Sequence, residues 1–171
     1  NDKNELLNSV KGFSSKVQWI NGGETRQKSV FNGLNSLPSS AEKVLIHDGA
    51  RCLIDPSLIN KCALELEEND AVILATKVTD TIKIVDDKGY IKETPDRKNL
   101  WAAQTPQGFS VDSLRKAHVM AIENNWTVTD DASLFEILNW KVKTIEGNSS
   151  NIKITSPLDL KIAKLFLKNY Q

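Results

Sequence analysis

The chain has 171 residues, 40% of them hydrophobic, and its 22 basic side chains balance 22 acidic ones. That makes an ordinary soluble globular chain, long enough to bury one core and expected as a single domain over 1–171. It excludes a global field for gripping nucleic acid or an anionic membrane, so any anion must be held by locally gathered Lys and Arg.

Cys52 and Cys62 are too few and too far apart for a zinc framework, and with only His47 and His118 beside them a soft-ligand metal site is excluded. A reducing compartment follows. No apolar run reaches the length of a membrane span, and no charged-then-apolar leader opens the chain. It starts at Asn1, without methionine and inside a polar stretch, so an upstream targeting segment or an upstream part of the fold can be missing.

Asn4 to Val10 reads as a short helix and Lys16 to Ile20 as a strand running into the turn Asn21-Gly22-Gly23. Thr25 is placed to cap a helix that carries Val30, Leu34 and Leu37 at helical spacing and is closed by Pro38. Lys43 to Ile46 is a short β segment ending abruptly in Asp48-Gly49-Ala50-Arg51. In an open sheet, ligands bind beyond the carboxyl ends of the strands. Asp48 there suits a metal or its hydration shell, and the Arg51 guanidinium suits a forked grip on phosphate. A strand-end ion pair explains the same residues equally well.

Asp55-Pro56-Ser57 opens a helix through Leu58, Ile59, Cys62, Leu64 and Leu66 that Asp70 breaks. Ala71 to Val78 is a nearly continuous apolar run, as in a strand covered on both faces. Three such strands separated by helices imply parallel βαβ units and a doubly wound α/β sheet. Residues 79–99 depart from that pattern. Thr81 to Val85 and Tyr90 to Thr94 alternate around Asp86-Asp-Lys-Gly89, which is hairpin chemistry. Because an isolated two-stranded arm is marginal in water, it lies on its own core or is stabilised by a second subunit.

Leu100 to Phe109 reads as an extended segment and turn around Thr105-Pro-Gln-Gly108. A helix over Ser110 to Asn125 follows, then a second one capped by Thr129-Asp-Asp-Ala-Ser133. Strands over Lys141 to Ile145 and Ile152 to Thr155 precede a final helix from Ser156-Pro157, with Leu160, Ile162, Ala163, Leu165 and Phe166 on its inner face.

Gly23 to Ser29 enters a helix, where free backbone N–H groups and the dipole favour an anion, although an ordinary capped helix reads the same way. Thr81 and Arg97 stand on the arm, either as surface polar groups or as donors lent to a partner's substrate site. Thr129-Asp130 is an N-cap whatever else it does. Lys153, between apolar neighbours, either points outward or neutralises phosphate along the sheet's carboxyl edge. Neither histidine has an evident catalytic partner, and Trp19, Trp101, Trp126 and Trp140 are spread as packing residues.

Seven ordered blocks together resemble the 2-C-methyl-D-erythritol 4-phosphate cytidylyltransferase family of the non-mevalonate isoprenoid pathway. They are Gly22-Gly-Glu-Thr-Arg-Gln-Lys-Ser-Val30, His47-Asp-Gly-Ala-Arg51, Asp80-Thr81, Thr94-Pro-Asp-Arg97, Leu100-Trp101 with Gln104-Thr-Pro-Gln-Gly-Phe109, Thr129-Asp-Asp-Ala-Ser133, and Glu146-Gly147 followed by Asn151-Ile-Lys-Ile-Thr155. The resemblance implies a Rossmann-like, mostly parallel sheet flanked by helices, with 79–99 as a projecting β-arm for homodimerisation. It implies a reaction of CTP with methylerythritol phosphate that gives 4-diphosphocytidyl-2-C-methyl-D-erythritol and pyrophosphate, with Mg2+, without nucleic acid or membrane. It implies Gly23, Ser29 and Gly49 at the nucleotide, and Asp48 as a catalytic residue near the metal-bound triphosphate. Arg51, Thr105 and Thr129 fall at the acceptor, with Thr81 and Arg97 arriving from the other subunit. Arg97 and Lys153 are then the catalytic pair that positions the attacking phosphate.

Two departures stand out. Cys52 follows the central arginine where the family usually has proline, and the family's opening strand and glycine-rich loop, with its arginine and lysine, have no counterpart here. The resemblance therefore implies an N-terminally incomplete chain, inactive by itself, from an active protein of bacterial cytoplasm or plastid stroma. Two alternatives are a ribitol-5-phosphate cytidylyltransferase and a non-catalytic nucleotide-binding fragment.

Overall fold

The computed structural model describes residues 17–168 together with Gly12. They divide into two compact units, the first ending at Ser39 and the second beginning at Ser40. In the first unit, residues 17–20 have no strand pairing, contrary to the strand expected over 16–20. The helix expected over 4–10 lies outside the described residues. Helix α1 (Arg26–Asn35) opens where Thr25 Oγ1 accepts the Lys28 N–H at 3.1 Å. The Gly23 amide donates to Ser29 Oγ at 2.9 Å, and that hydroxyl donates to Thr25 O at 2.9 Å. A Cβ at position 23 would lie 2.6 Å from Lys28 Cβ, so this tight turn requires glycine.

The second unit runs β1 (Lys43–Ile46), α2 (Pro56–Glu65), β2 (Ala71–Lys77), β3 (Ile84–Val85), β4 (Ile91–Glu93), β5 (Trp101–Ser110), α3 (Val111–Glu123), α4 (Ala132–Ile137), β6 (Lys143–Glu146) and α5 (Pro157–Lys168). A short 3-10 turn, Arg97–Asn99, precedes β5. The main sheet has the order β1-β5-β2-β6. β2 and β6 are parallel, while β5 is antiparallel to both β1 and β2. Three strands therefore share one direction and β5 opposes them. The mixed α/β sheet agrees with the expected class, but β1 and β2 are separated by a strand that the sequence did not reveal.

β5 corrects the extended segment and turn expected over 100–109. Gly108 is there for close packing rather than turning: a Cβ would meet Leu66 Cδ1 at 2.7 Å, Leu45 Cδ2 at 2.8 Å and Val72 Cγ2 at 2.9 Å. Pro106 lacks an N–H, and the register between β2 and β5 shifts between Ile73 and Ala75, where the ladder passes it. The Thr105–Pro106 peptide is cis.

The expected strand over 152–155 is also absent, since those residues have no ladder partner. The arm exists as β3 paired with β4 in a separate two-stranded sheet, shorter than the alternation suggested. Asp86 Oδ1 accepts the Lys88 and Tyr90 amides at 3.0 and 2.9 Å, and Gly89 supplies the turn's positive φ of 85°.

Cys62, Leu66, Val72, Leu74 and Ile145 form a buried cluster against Leu45, Ile54 and Leu58. The Phe109, Phe135 and Trp140 rings pack in series, the first pair tilted and the second edge-on, with centroids 5.1 and 5.2 Å apart. Burial pushes the Cys62 thiol up to about 11, so it packs as a small hydrophobe. The inner face expected for the last helix is only partly inner. Ala163 is buried, but Leu160 and Leu165 are exposed. Among the described residues no helix is long and apolar enough to cross a membrane.

Candidate active site

The loop after β1 leaves the sheet at the edge where the parallel strands end. Because Ile46 pairs with Gln107 and Ala75 with Ala103, the antiparallel β5 carries residues 103–105 past that same edge. The Asp48 amide donates to Thr105 Oγ1 at 3.0 Å, and the Arg51 amide closes a turn on Asp48 O at 2.9 Å. Lys153 Nζ stands 3.0 Å from Asp48 Oδ2. Arg51 Nη1 donates to Asn151 O at 2.8 Å, and Nη2 reaches toward Ala103 O at 3.5 Å. Asp48, Arg51, Thr105 and Lys153, drawn from three separate stretches of chain, thus share one rim.

The electrostatics of that rim favour an anion. Burial lowers the Arg51 pKa, and the neighbouring Asp48 carboxylate works the other way. Arg51 Nε is buried without a hydrogen-bond partner among the described residues. A partly desolvated guanidinium with an unused donor gains most from a phosphate oxygen.

The sequence reading missed two residues here. His47 does have partners: its Nδ1 lies 3.0 Å from Thr105 Oγ1 and its Nε2 3.1 Å from Arg51 O. Asn151 is 1% exposed, and its Nδ2 donates to Thr105 O at 2.9 Å and Gln104 Oε1 at 3.1 Å. The His118 imidazole is likewise partnered, with Nε2 3.1 Å from Asp131 Oδ1 and both side chains buried.

The remaining expected residues take no part in those bonds. Thr129 is exposed, and its neighbour Asp130 does the capping, accepting Ser133 N at 3.1 Å and Ser133 Oγ at 2.6 Å. Asp130 Oδ2 also accepts from the buried Gln107 Nε2 at 2.7 Å, tying that loop to β5. Among the described residues, Thr81 and Arg97 make no hydrogen bond or ion pair to the rim, and Arg97 Nη1 donates instead to Thr79 O at 2.6 Å. Gly49 is exposed with open space where a Cβ would sit. Gly23 and Ser29 belong to the first unit, where each satisfies the other.

No group of three or more His, Cys, Asp or Glu gathers among the described residues, so the chain builds no cage for a metal there. Among the four residues that share the rim, Asp48 offers a carboxylate. A single carboxylate suits a small hard cation that takes its remaining ligands from substrate phosphates and water.

An open α/β sheet whose carboxyl edge gathers a lysine, an arginine and one carboxylate has the parts of a nucleotidyltransferase. The family described as 2-C-methyl-D-erythritol 4-phosphate cytidylyltransferase (IspD) matches residues 1–169. The protein of that name from Prochlorococcus marinus subsp. pastoris (strain CCMP1986 / NIES-2087 / MED4) is 84% identical over 169 residues, covering 99% of this chain and 76% of that protein. Among solved structures, 4-diphosphocytidyl-2C-methyl-D-erythritol synthase from Anaerococcus prevotii DSM 20548 has a TM-score of 0.91 at 36% identity, over 98% of this chain and 74% of that one. The 2-C-methyl-D-erythritol 4-phosphate cytidylyltransferase of Thermus thermophilus has a TM-score of 0.78 at 33% identity, over 86% and 71%. The chain belongs to this cytidylyltransferase family, as the seven sequence blocks implied.

Proposed function

We propose that this chain contributes the acceptor rim of an enzyme that joins CTP to 2-C-methyl-D-erythritol 4-phosphate. A phosphate oxygen of the acceptor attacks the α-phosphorus of CTP, a new P–O bond forms, and the bond to the leaving pyrophosphate breaks. The nucleophile is already ionised, so no general base is needed. The difficulty is holding two polyanions together in line, and fixed cations reduce that repulsion.

One observation carries the reading: Arg51 and Lys153, both cations, are held on the same rim by bonds of 2.8 and 3.0 Å. Lys153 must exchange its contact with Asp48 for the acceptor phosphate, while Arg51 offers its unused Nε. Thr105 and Thr129 border the acceptor, and Gly23, Ser29 and Gly49 serve the nucleotide. Magnesium, held at Asp48 together with the triphosphate, would withdraw charge from the phosphates and the leaving pyrophosphate. Thr81 and Arg97 come from the arm of a second subunit, whose hairpin exposes Val85, Tyr90 and Ile91 for such a partner. We place the reaction in bacterial cytoplasm, or in plastid stroma if the source is an alga or plant.

The test is pyrophosphate release from CTP by the whole gene product containing this chain, with methylerythritol phosphate and ribitol 5-phosphate offered at equal concentration. Turnover with the first acceptor is expected to exceed the second by at least about tenfold, the net value of one hydrogen bond. Preference for ribitol phosphate would replace this reading with the pentitol one, and nucleotide binding without turnover would replace it with a non-catalytic one.

A further inference from the structure

The segment that carries Lys153 has no place in the sheet. Residues 152–155 lack a ladder partner, so no strand register aims the lysine. What docks the segment is a short set of specific bonds. Gly147 N donates to Ala75 O at 2.8 Å, Ile154 N donates to Ala50 O at 2.8 Å, and between them sits the buried amide of Asn151. That amide joins three parts of the rim. Its Nδ2 holds Thr105 O and Gln104 Oε1 on β5, and the backbone carbonyl of the same residue receives the Arg51 guanidinium.

The orientation of this network is forced. Gln104 Nε2 faces the carbonyl of Asn148 at 3.0 Å, which can only accept, so Gln104 must turn its oxygen toward Asn151. Asn151 then confronts two acceptors, Gln104 Oε1 and Thr105 O, and must supply both hydrogens. A carboxylate of the same shape would supply none and would place negative charge against two oxygens. Burial raises the stakes, since these bonds do not compete with water and a lost one leaves an unpaired polar group.

We propose that Asn151 is a positioning residue of the transfer reaction, a buried amide clamp that fixes Arg51 and Lys153 together against β5. The proposal deepens the function proposed above and rests on its placing the acceptor phosphate between those two cations. Asn151 itself touches neither substrate.

Asn151→Asp and Asn151→Ala, made in the whole gene product, are expected to raise the KM for methylerythritol phosphate and lower kcat by about tenfold each, with the KM for CTP changed by no more than about twofold. Gln104→Leu removes one of the two acceptors and is expected to shift the same constants the same way by about threefold. Hydrogen exchange gives a second readout. The Ile154 amide should exchange faster in the Asn151 variants while amides within β2 and β5 keep wild-type protection. The clamp is refuted if acceptor KM and kcat stay within about twofold of wild type, or if faster exchange spreads through β2 and β5, which would mark a general packing residue. Failure of the wild-type protein to use methylerythritol phosphate would instead refute the function, and the Ile154 exchange would still decide whether Asn151 anchors the segment.

Discussion

At the scale of single residues, the rim is organised by hydrogen-bonding side chains behind the cations, and His47 is the clearest case. Thr105 Oγ1 accepts the Asp48 amide, so its own hydrogen is free to go to His47 Nδ1, while the Arg51 carbonyl can only accept from Nε2. Nε2 therefore carries a proton, and the ring joins the two ends of the Asp48 to Arg51 turn to β5. Glutamine at position 47 can retain the donor to Arg51 O, asparagine can retain the acceptor for Thr105, and alanine keeps neither. Kinetics should follow that order: about a threefold loss of kcat/KM for His47→Gln and for His47→Asn, and about tenfold for His47→Ala. Equal, negligible losses across the series would show that the imidazole is only a surface group. The partner was illegible in the sequence for a plain reason. Thr105 lies 58 positions away and the other partner is a backbone carbonyl, which leaves no residue signature. Asp48 and Arg51 were legible because charge at a strand end is visible in the letters alone, whereas Lys153 stood out only as a cation between apolar neighbours.

At the scale of elements, local chemistry predicted helix starts well and strand membership poorly. Thr25 and Asp55 cap the helices that their side chains announce, because capping is settled within three residues. β5 was hidden because Pro106 and Gly108 mark turns in most contexts. Here a register shift absorbs the first, and crowding by Leu45, Leu66 and Val72 demands the second. The opposite error occurred at 152–155, where alternating residues suggested a strand, but isolated bonds such as Ile154 N to Ala50 O hold the segment instead of a ladder. The start of α5 yields a pH prediction. Asp159 Oδ2 accepts from Thr155 N at 3.0 Å, Ser156 N at 2.8 Å and Ser156 Oγ at 2.9 Å, while Ser156 Oγ receives the Asp159 amide at 3.3 Å. The Thr155 amide bond, followed by those from Ser156, holds the carboxyl below its ordinary value of 3.8. A depressed folded pKa means that this cap is fully formed above pH 3.8 and is lost as pH falls through the lower, folded value. Hydrogen-exchange protection in the first turn of α5 should therefore drop on acidification below that point. Asp159→Asn should remove most of the acid dependence, and an unchanged acid profile in that variant would contradict the assignment.

At the scale of the whole molecule, the proposed function asks a second subunit to supply Thr81 and Arg97, which among the described residues make no hydrogen bond or ion pair to the rim within one chain. The arm that carries them is a two-stranded ribbon, too small to be stable on its own hydrophobic face. Val85 and Ile91 are cross-strand partners, so they share a face, and they remain 53% and 62% exposed. A second copy of the chain would cover them and receive Thr81 and Arg97 in the same movement. If the proposed arm-mediated dimer forms, Val85→Glu combined with Ile91→Glu should convert it into a monomer in sedimentation and lower turnover more than about tenfold, with the main-sheet core still folded. A mixing experiment separates lending from mere stabilisation. Arg97→Ala spoils only the arm and Lys153→Ala only the rim, so each protein alone should be inactive. After subunit exchange, random pairing makes about half of the dimers mixed, and each mixed dimer carries one site with an intact rim and an intact arm. Activity should then recover to about one quarter of wild type. If each chain instead served its own rim, every site in the mixture would carry one of the two lesions, and no recovery would be seen at any mixing ratio.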